Sequence, residues 1–270
     1  MNRRELLRGG ACGSVVFLVG CDRLSNTTIS GKYLPNYRYK LTVEVDTPEG
    51  LKSGHSVIEV IKPWRPGASS RGQAVAVDLP GRQTLFVLLR SEQTSDWSDD
   101  AMAPAWPPIQ RSGDEEKDVA ALLRAARAMG RFQLPRVRKL GETGEMNHTP
   151  YFVRFGDVRD PTTVEKVDPD NMAHSFGEGV EFKGLFVEIT DEPVSTGIER
   201  RLGWLRRPQA NLLDLTREQE DAFIVNGQGY PLAARISFGD FKHEHLSAKE
   251  GVERARAINN FRNKTPRDAD

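Results

Sequence analysis

The chain has 270 residues, enough for one large domain or two small ones with a sizeable hydrophobic core. Hydrophobic residues make up 38% and charged residues 28% of it, and the 38 Lys and Arg residues balance the 38 Asp and Glu residues. This composition is typical of a soluble globular protein and excludes a disordered chain or an integral membrane bundle. The neutral balance gives no electrostatic reason to expect nucleic acid as a partner.

The amino terminus has the three parts of a secretory signal peptide. Residues 1–8 are basic, residues 9–20 form a short apolar segment, and Cys21 follows directly after Gly20. A helix of this apolar length reaches only about 18 Å, against a membrane hydrocarbon core of about 30 Å. The segment is therefore predicted to be a cleaved signal rather than a membrane span.

The sequence LVGC over residues 18–21 resembles the lipobox of bacterial lipoprotein precursors. In that family the cysteine receives a diacylglycerol, the signal is cut before it, and the new amino terminus is acylated. The resemblance implies cleavage between Gly20 and Cys21, with Cys21 carrying fatty acids such as palmitate. More than one acyl chain is needed because a single chain binds a membrane only marginally. The alternative is that Cys21 ends an uncleaved apolar segment.

The export route has two alternatives. Arg3 and Arg4 resemble the start of a twin-arginine signal, with Leu6 where that pattern often has Phe, but paired arginines also occur in Sec signals. By either route the protein would be anchored in the bacterial envelope and face the periplasm. The sequence is compatible with anchoring in either the inner or the outer membrane.

The chain contains only two cysteines, Cys12 and Cys21. Cys12 would leave with the signal, and Cys21 would be alkylated by lipid. The mature domain would therefore have no thiol, which excludes thiol catalysis, a cysteine-bound zinc and a disulfide.

The pattern after the polar stretch that ends at residue 35 predicts strands first. Residues 37–46 alternate strictly between apolar and polar side chains, and residues 55–63 provide a return strand, which together predict a hairpin. Residues 73–79 and 84–90 predict a second antiparallel pair. The second of these strands is apolar on both faces, so we expect it in the centre of a sheet.

Helices and further strands follow. Ser112 and Glu115 have capping-box spacing, which predicts an amphipathic helix over 114–129 that ends at Gly130. We also predict strands over 151–155, 180–190 and 235–241, and short helices beginning near Asp160, Asp168, Thr196, Thr216 and Ser247.

The order of elements predicts an α+β fold, with a mostly antiparallel sheet, several short capped helices and a C-terminal helix. We expect a signal peptide over 1–20, a lipidated tether over 21–35, a single α+β domain over 36–245, and the C-terminal helix with a polar tail over 246–270. Residues 37–60 and 150–205 resemble a group of proteobacterial proteins without an assigned activity. That resemblance implies no catalytic residue.

One segment combines arginines with an aromatic side chain. Arg200, Arg201, Arg206 and Arg207 surround Trp204, and such a group can contact an anionic partner or lipid headgroups. The simpler interpretation, which we favour, is that Trp204 lies in the core while the arginines stay in water.

Other candidate sites have ordinary explanations. His243, Glu244 and His245 contain metal-binding atoms, but their spacing is not that of a helical zinc motif, and a solvated loop is expected. The oxygen-rich residues 168–171 lack the Gly and Glu positions of a calcium loop, and helix capping explains them. We predict no metal, no cofactor and no catalytic residue.

The sequence therefore predicts a membrane-anchored envelope lipoprotein that binds a protein or an envelope component. The alternative is a cell-envelope hydrolase without a recognisable motif, because neither a Gly-x-Ser-x-Gly elbow nor a Ser-x-x-Lys pair is present.

Overall fold

The computed structural model describes residues 35–61, 69–95, 97–140, 144–206, 211–213, 215, 219, 222–223, 229–243 and 256. Four predicted features lie outside these residues: the signal peptide, the lipidation site at Cys21, Arg207 of the arginine-rich segment, and most of the C-terminal helix. So does the start of the helix predicted near Thr216.

The described strands form two larger sheets and one separate hairpin. The first sheet has the order β12-β3-β2-β1-β11-β6, the second has the order β10-β9-β5-β4, and the hairpin consists of β7 and β8. The strands are β1 (Tyr37–Asp46), β2 (Lys52–Ile61), β3 (Ser69–Gln73), β4 (Val75–Leu79), β5 (Gln83–Ser91), β6 (Phe132–Gln133), β7 (Val137–Leu140), β8 (Gly144–Asn147), β9 (Pro150–Phe155), β10 (Val164–Lys166), β11 (Glu181–Ile189) and β12 (Lys242–His243). All of the pairings between these strands are antiparallel.

The alternating strand β1 lies in the middle of the first sheet, paired with β2 on one side and β11 on the other. Its odd-numbered residues are buried and its even-numbered residues are half-buried, as the alternation predicted. The turn to β2 is closed by Gly50, whose backbone has a φ of 101° and whose N–H donates to the Thr47 oxygen at 2.8 Å. The predicted hairpin is confirmed, although β2 begins earlier than expected.

The second sheet is the middle layer, because both of its faces are covered. Leu85 and Val87 on β5 face the core shared with the first sheet, whereas Phe86 and Leu88 face a second core. That second core is closed by C-terminal segments between residues 198 and 241. The prediction that β5 is a central strand is confirmed, since it pairs with both β4 and β9.

The described α-helices are α1 (Trp97–Asp100), α2 (Glu115–Met129), α3 (Met172–Phe176) and α4 (Leu232–Arg235). The mixture of these helices with antiparallel sheets confirms the α+β class. Helix α2 packs on β11 and ends at Gly130 as predicted, but its cap differs. Asp114 is the N-cap and accepts from the N–H groups of Glu116 and Lys117, while the Ser112 hydroxyl donates to Asp118 at 2.7 Å.

Three further predictions were wrong in detail. Helix α3 is preceded by Asn171, and Asp168 instead closes a turn by accepting from the Asp170 N–H at 2.9 Å. The segment after Thr196 forms two 3-10 turns rather than one α-helix, and Gly197, with a left-handed φ of 94°, precedes the first turn. Residues 235–241, predicted as a strand, contain the end of α4 and a 3-10 turn whose buried Asp240 accepts from the Ser237 N–H.

Candidate functional site

The arginine-rich segment lies on the outer face of the second core, in two 3-10 turns spanning Ile198–Arg200 and Gly203–Arg206. Trp204 is 6% exposed, and its indole packs against Phe238 and Phe241 at centroid distances of 5.2 and 5.3 Å. Trp204 is therefore a core side chain that fixes the position of the turn.

The arginines of this segment remain on the surface. Arg200, Arg201 and Arg206 are all exposed, and we call these three residues the arginine surface. Arg201 forms two hydrogen bonds to Asp78, at 2.5 and 2.8 Å, and this contact holds the pKa of the Asp78 carboxyl below its usual value. Within the described residues, Arg200 and Arg206 take part in no ion pair, although Arg206 acts electrostatically on Glu199, which is itself paired with Lys242.

Other arginines are neutralised by acids from distant parts of the chain. Arg131 pairs with Glu44 at 2.7 Å and stacks over the Phe186 ring, and Arg136 pairs with Asp170. Exposed pairs of this kind contribute little stability, but they reduce the charge offered to a partner. The arginine surface is thus a better candidate for electrostatic binding than Arg131 and Arg136.

A second group of polar side chains lies where β3, α1 and β12 meet. The Ser70 Oγ is 2.6 Å from Nδ1 of His243 and 2.9 Å from the Ser98 Oγ. The Ser98 Oγ lies 3.4 Å from the same His243 nitrogen. We call these three residues the serine–histidine cluster. Ser70 is 6% exposed and Ser98 is fully buried, whereas His243 is half-buried.

Local structure brings the cluster together from three distant parts of the sequence. Strand β12 pairs with β3 at the edge of the first sheet, with His243 opposite Gly72, and this places the imidazole beside Ser70. Tyr39 on β1 holds helix α1, because its hydroxyl donates to the Ser98 main-chain oxygen at 2.6 Å. Burial raises the pKa of the Tyr39 hydroxyl well above its ordinary value, so Tyr39 acts as a neutral donor.

The first residue of α1, Trp97, rests on a buried histidine. The Trp97 indole donates to the His148 main-chain oxygen at 2.9 Å, and the two rings are in contact. His148 is 2% exposed, and its Nδ1 has no hydrogen-bond partner among the described residues. Burial lowers the pKa of the His148 imidazole, so the ring is held neutral.

The chemistry of the cluster differs from what the sequence suggested for His243. From the sequence, His243 was considered only as a metal ligand together with Glu244 and His245. Glu244 and His245 lie outside the described residues. Across the described part of the chain, no group of three or more His, Cys, Asp or Glu side chains is placed to hold a metal ion. The structure instead places His243 within proton-transfer distance of a serine hydroxyl.

Sequence reasoning missed this cluster because residues 70, 98 and 243 form no local motif. Only the pairing of β12 with β3 and the fold of α1 bring them together.

Compared with known proteins, the chain matches no family model, no curated protein and no solved structure. Among the described residues, no helix has the length and apolar character needed to cross a membrane.

Proposed function

We propose that the chain is the precursor of a bacterial lipoprotein, held by lipid on Cys21 to a membrane of the cell envelope. Its folded domain faces the periplasm and binds a protein or an envelope component there. The observation that carries this proposal is the sequence LVGC at the end of a short apolar segment that follows a basic amino terminus.

The distance between the anchor and the domain fits a tethered protein. Residues 22–34 separate Cys21 from the first described residue, Pro35, and β1 begins at Tyr37. An extended chain of this length spans at most about 50 Å. A lipid on Cys21 would therefore keep the domain close to the bilayer, where an envelope partner is met at high local concentration.

The arginine surface supports a binding role. Arg200 and Arg206 carry charges that no described acid neutralises by an ion pair, and the buried Trp204 fixes the turn that presents them. A rigid presentation reduces the entropy lost when a partner binds. We therefore assign the partner contact to this surface, with an anionic group on the partner.

Metabolic labelling with a clickable fatty acid tests the anchor. The wild-type protein and a Cys12→Ala variant should both take up label, because Cys12 lies in the part of the signal that is removed. A Cys21→Ala variant should take up none. Equal labelling of the Cys21→Ala variant and the wild type would contradict the proposal.

A further inference from the structure

We infer that Ser70 and His243 form a nucleophile and base pair whose substrate is a carboxylic ester. This activity goes beyond the proposed binding role and does not depend on it. The 2.6 Å separation between the Ser70 oxygen and Nδ1 of His243 is the separation that direct transfer of the serine proton requires.

The two side chains are held by backbone pairing rather than by a flexible loop. Ser70 lies on β3, and His243 lies on the neighbouring strand β12, which hydrogen-bonds to β3 at two positions of the ladder. Ser70 also contacts the fully buried Ser98, which the Tyr39 hydroxyl holds through its main-chain oxygen. These contacts fix the serine rotamer with its oxygen toward the imidazole.

The pair lies at the edge of the first sheet as the described residues form it. Strand β12 is the outermost strand of that sheet, and the His243 side chain is half-buried. Ser70 retains 6% exposure, whereas Ser98 behind it has none. Ser70 and His243 therefore lie nearer the surface than Ser98, whose hydroxyl supports Ser70 from the interior.

The reaction has two balanced steps. The Ser70 oxygen forms a bond to the ester carbonyl carbon, its proton passes to Nδ1 of His243, and the bond to the alcohol oxygen breaks as His243 returns the proton to the leaving alcohol. Water then attacks the acyl group on Ser70, giving a carboxylic acid and the free serine. An ester suits this pair because its carbonyl is more electrophilic than that of an amide and its alcohol is the better leaving group.

A fluorophosphonate probe tests the inference with the lipid-anchored protein purified from membranes. Attack by Ser70 would form an oxygen–phosphorus bond and release fluoride, leaving an adduct that peptide mass spectrometry locates. We expect the adduct on Ser70 in the wild type and none there in a Ser70→Ala variant. A His243→Gln variant should react at least about 100-fold more slowly, which is the usual contribution of a general base.

Ser56 supplies the control, because it is a buried serine on β2, the strand that pairs with β3. A Ser56→Ala variant should be labelled at the wild-type rate, and p-nitrophenyl acetate should be hydrolysed by the same variants that take up the probe. Folded wild-type protein without an adduct on Ser70, or equal labelling of the His243→Gln variant, would overturn the inference and show a purely structural hydrogen bond. Neither result bears on lipid labelling at Cys21.

Discussion

The indole nitrogen of Trp204 donates a hydrogen bond to the main-chain oxygen of Val158 at 3.0 Å. This contact joins the arginine-bearing turn to the segment that connects β9 and β10, across the edge of the second core. Trp204 is thus part of the packing that positions Arg200, Arg201 and Arg206.

The first prediction separates the ring packing of Trp204 from its hydrogen bond to Val158. Truncation in a Trp204→Ala variant removes ring packing against Phe238 and Phe241, so we expect the free energy of unfolding to fall by about 3–5 kcal/mol. A Trp204→Phe variant keeps much of the packing but loses the hydrogen bond to Val158, and its loss should be smaller. Urea denaturation of both variants measures this, and a Trp204→Ala variant of wild-type stability would contradict the packing role.

The second prediction concerns the close approach of β2 to β4. A Cβ atom added to Gly54 would lie 2.1 Å from the main-chain oxygen of Ala76, so the two backbones would have to separate. We expect a Gly54→Ala variant to lose at least about 1–3 kcal/mol of stability, which is the usual cost of overpacking. A Gly203→Ala variant is the control, since that Cβ would meet no atom within 4 Å. Similar thermal midpoints for the two variants would show that the approach of the strands is not tight.

The sequence predicted elements whose signal is local. Strand β1 follows from strict alternation over residues 37–46, and β5 follows from a run that is apolar on both faces. Residues 235–241 misled the same reasoning, because Ile236, Phe238 and Phe241 all enter one core from turns rather than from a strand.

Competition between nearby capping groups explains another error. Ser112 and Asp114 can both cap the helix that follows, and Asp114 became the cap because Ser112 is engaged with Asp118. The serine–histidine cluster gave no signal at all, since its residues meet only through the pairing of β12 with β3.

The third prediction is a pH dependence of stability due to His148. Burial lowers the pKa of its imidazole in the folded state, so the unfolded chain binds a proton more readily. Above about pH 6.5, the pKa of an unperturbed histidine, His148 is neutral in both states and does not reduce the free energy of unfolding. As the pH falls below that value, the free energy of unfolding decreases. Each unit by which the pKa is lowered corresponds to about 1.4 kcal/mol.

Denaturation at pH 7.5 and pH 5.5 measures the effect. A His148→Gln variant should lose less stability over this interval than the wild type, because its side chain does not titrate. An unchanged pH dependence in the His148→Gln variant would contradict the role given to His148. Besides burial, the charges of Arg138 and Asp100 act on the pKa of His148.

The fourth prediction tests the arginine surface by charge reversal. An Arg200→Glu, Arg206→Glu double variant should remain folded, because both side chains are exposed, and should lose at least about tenfold in crosslinking to an anionic partner. The matched control is Arg124→Glu, an exposed position on α2. Crosslinked products captured from whole cells by a photoreactive group placed beside the surface provide the measurement. Equal yields from the double variant and the control would assign binding to another surface.

The most direct test of the membrane anchor is the mass of the amino-terminal peptide of protein purified from membranes. Cleavage before Cys21 predicts a peptide that begins with this cysteine and carries a diacylglyceryl group on sulfur, together with an acyl group on its amino nitrogen. A peptide that begins at Met1, or one in which Cys21 is unmodified, would contradict it.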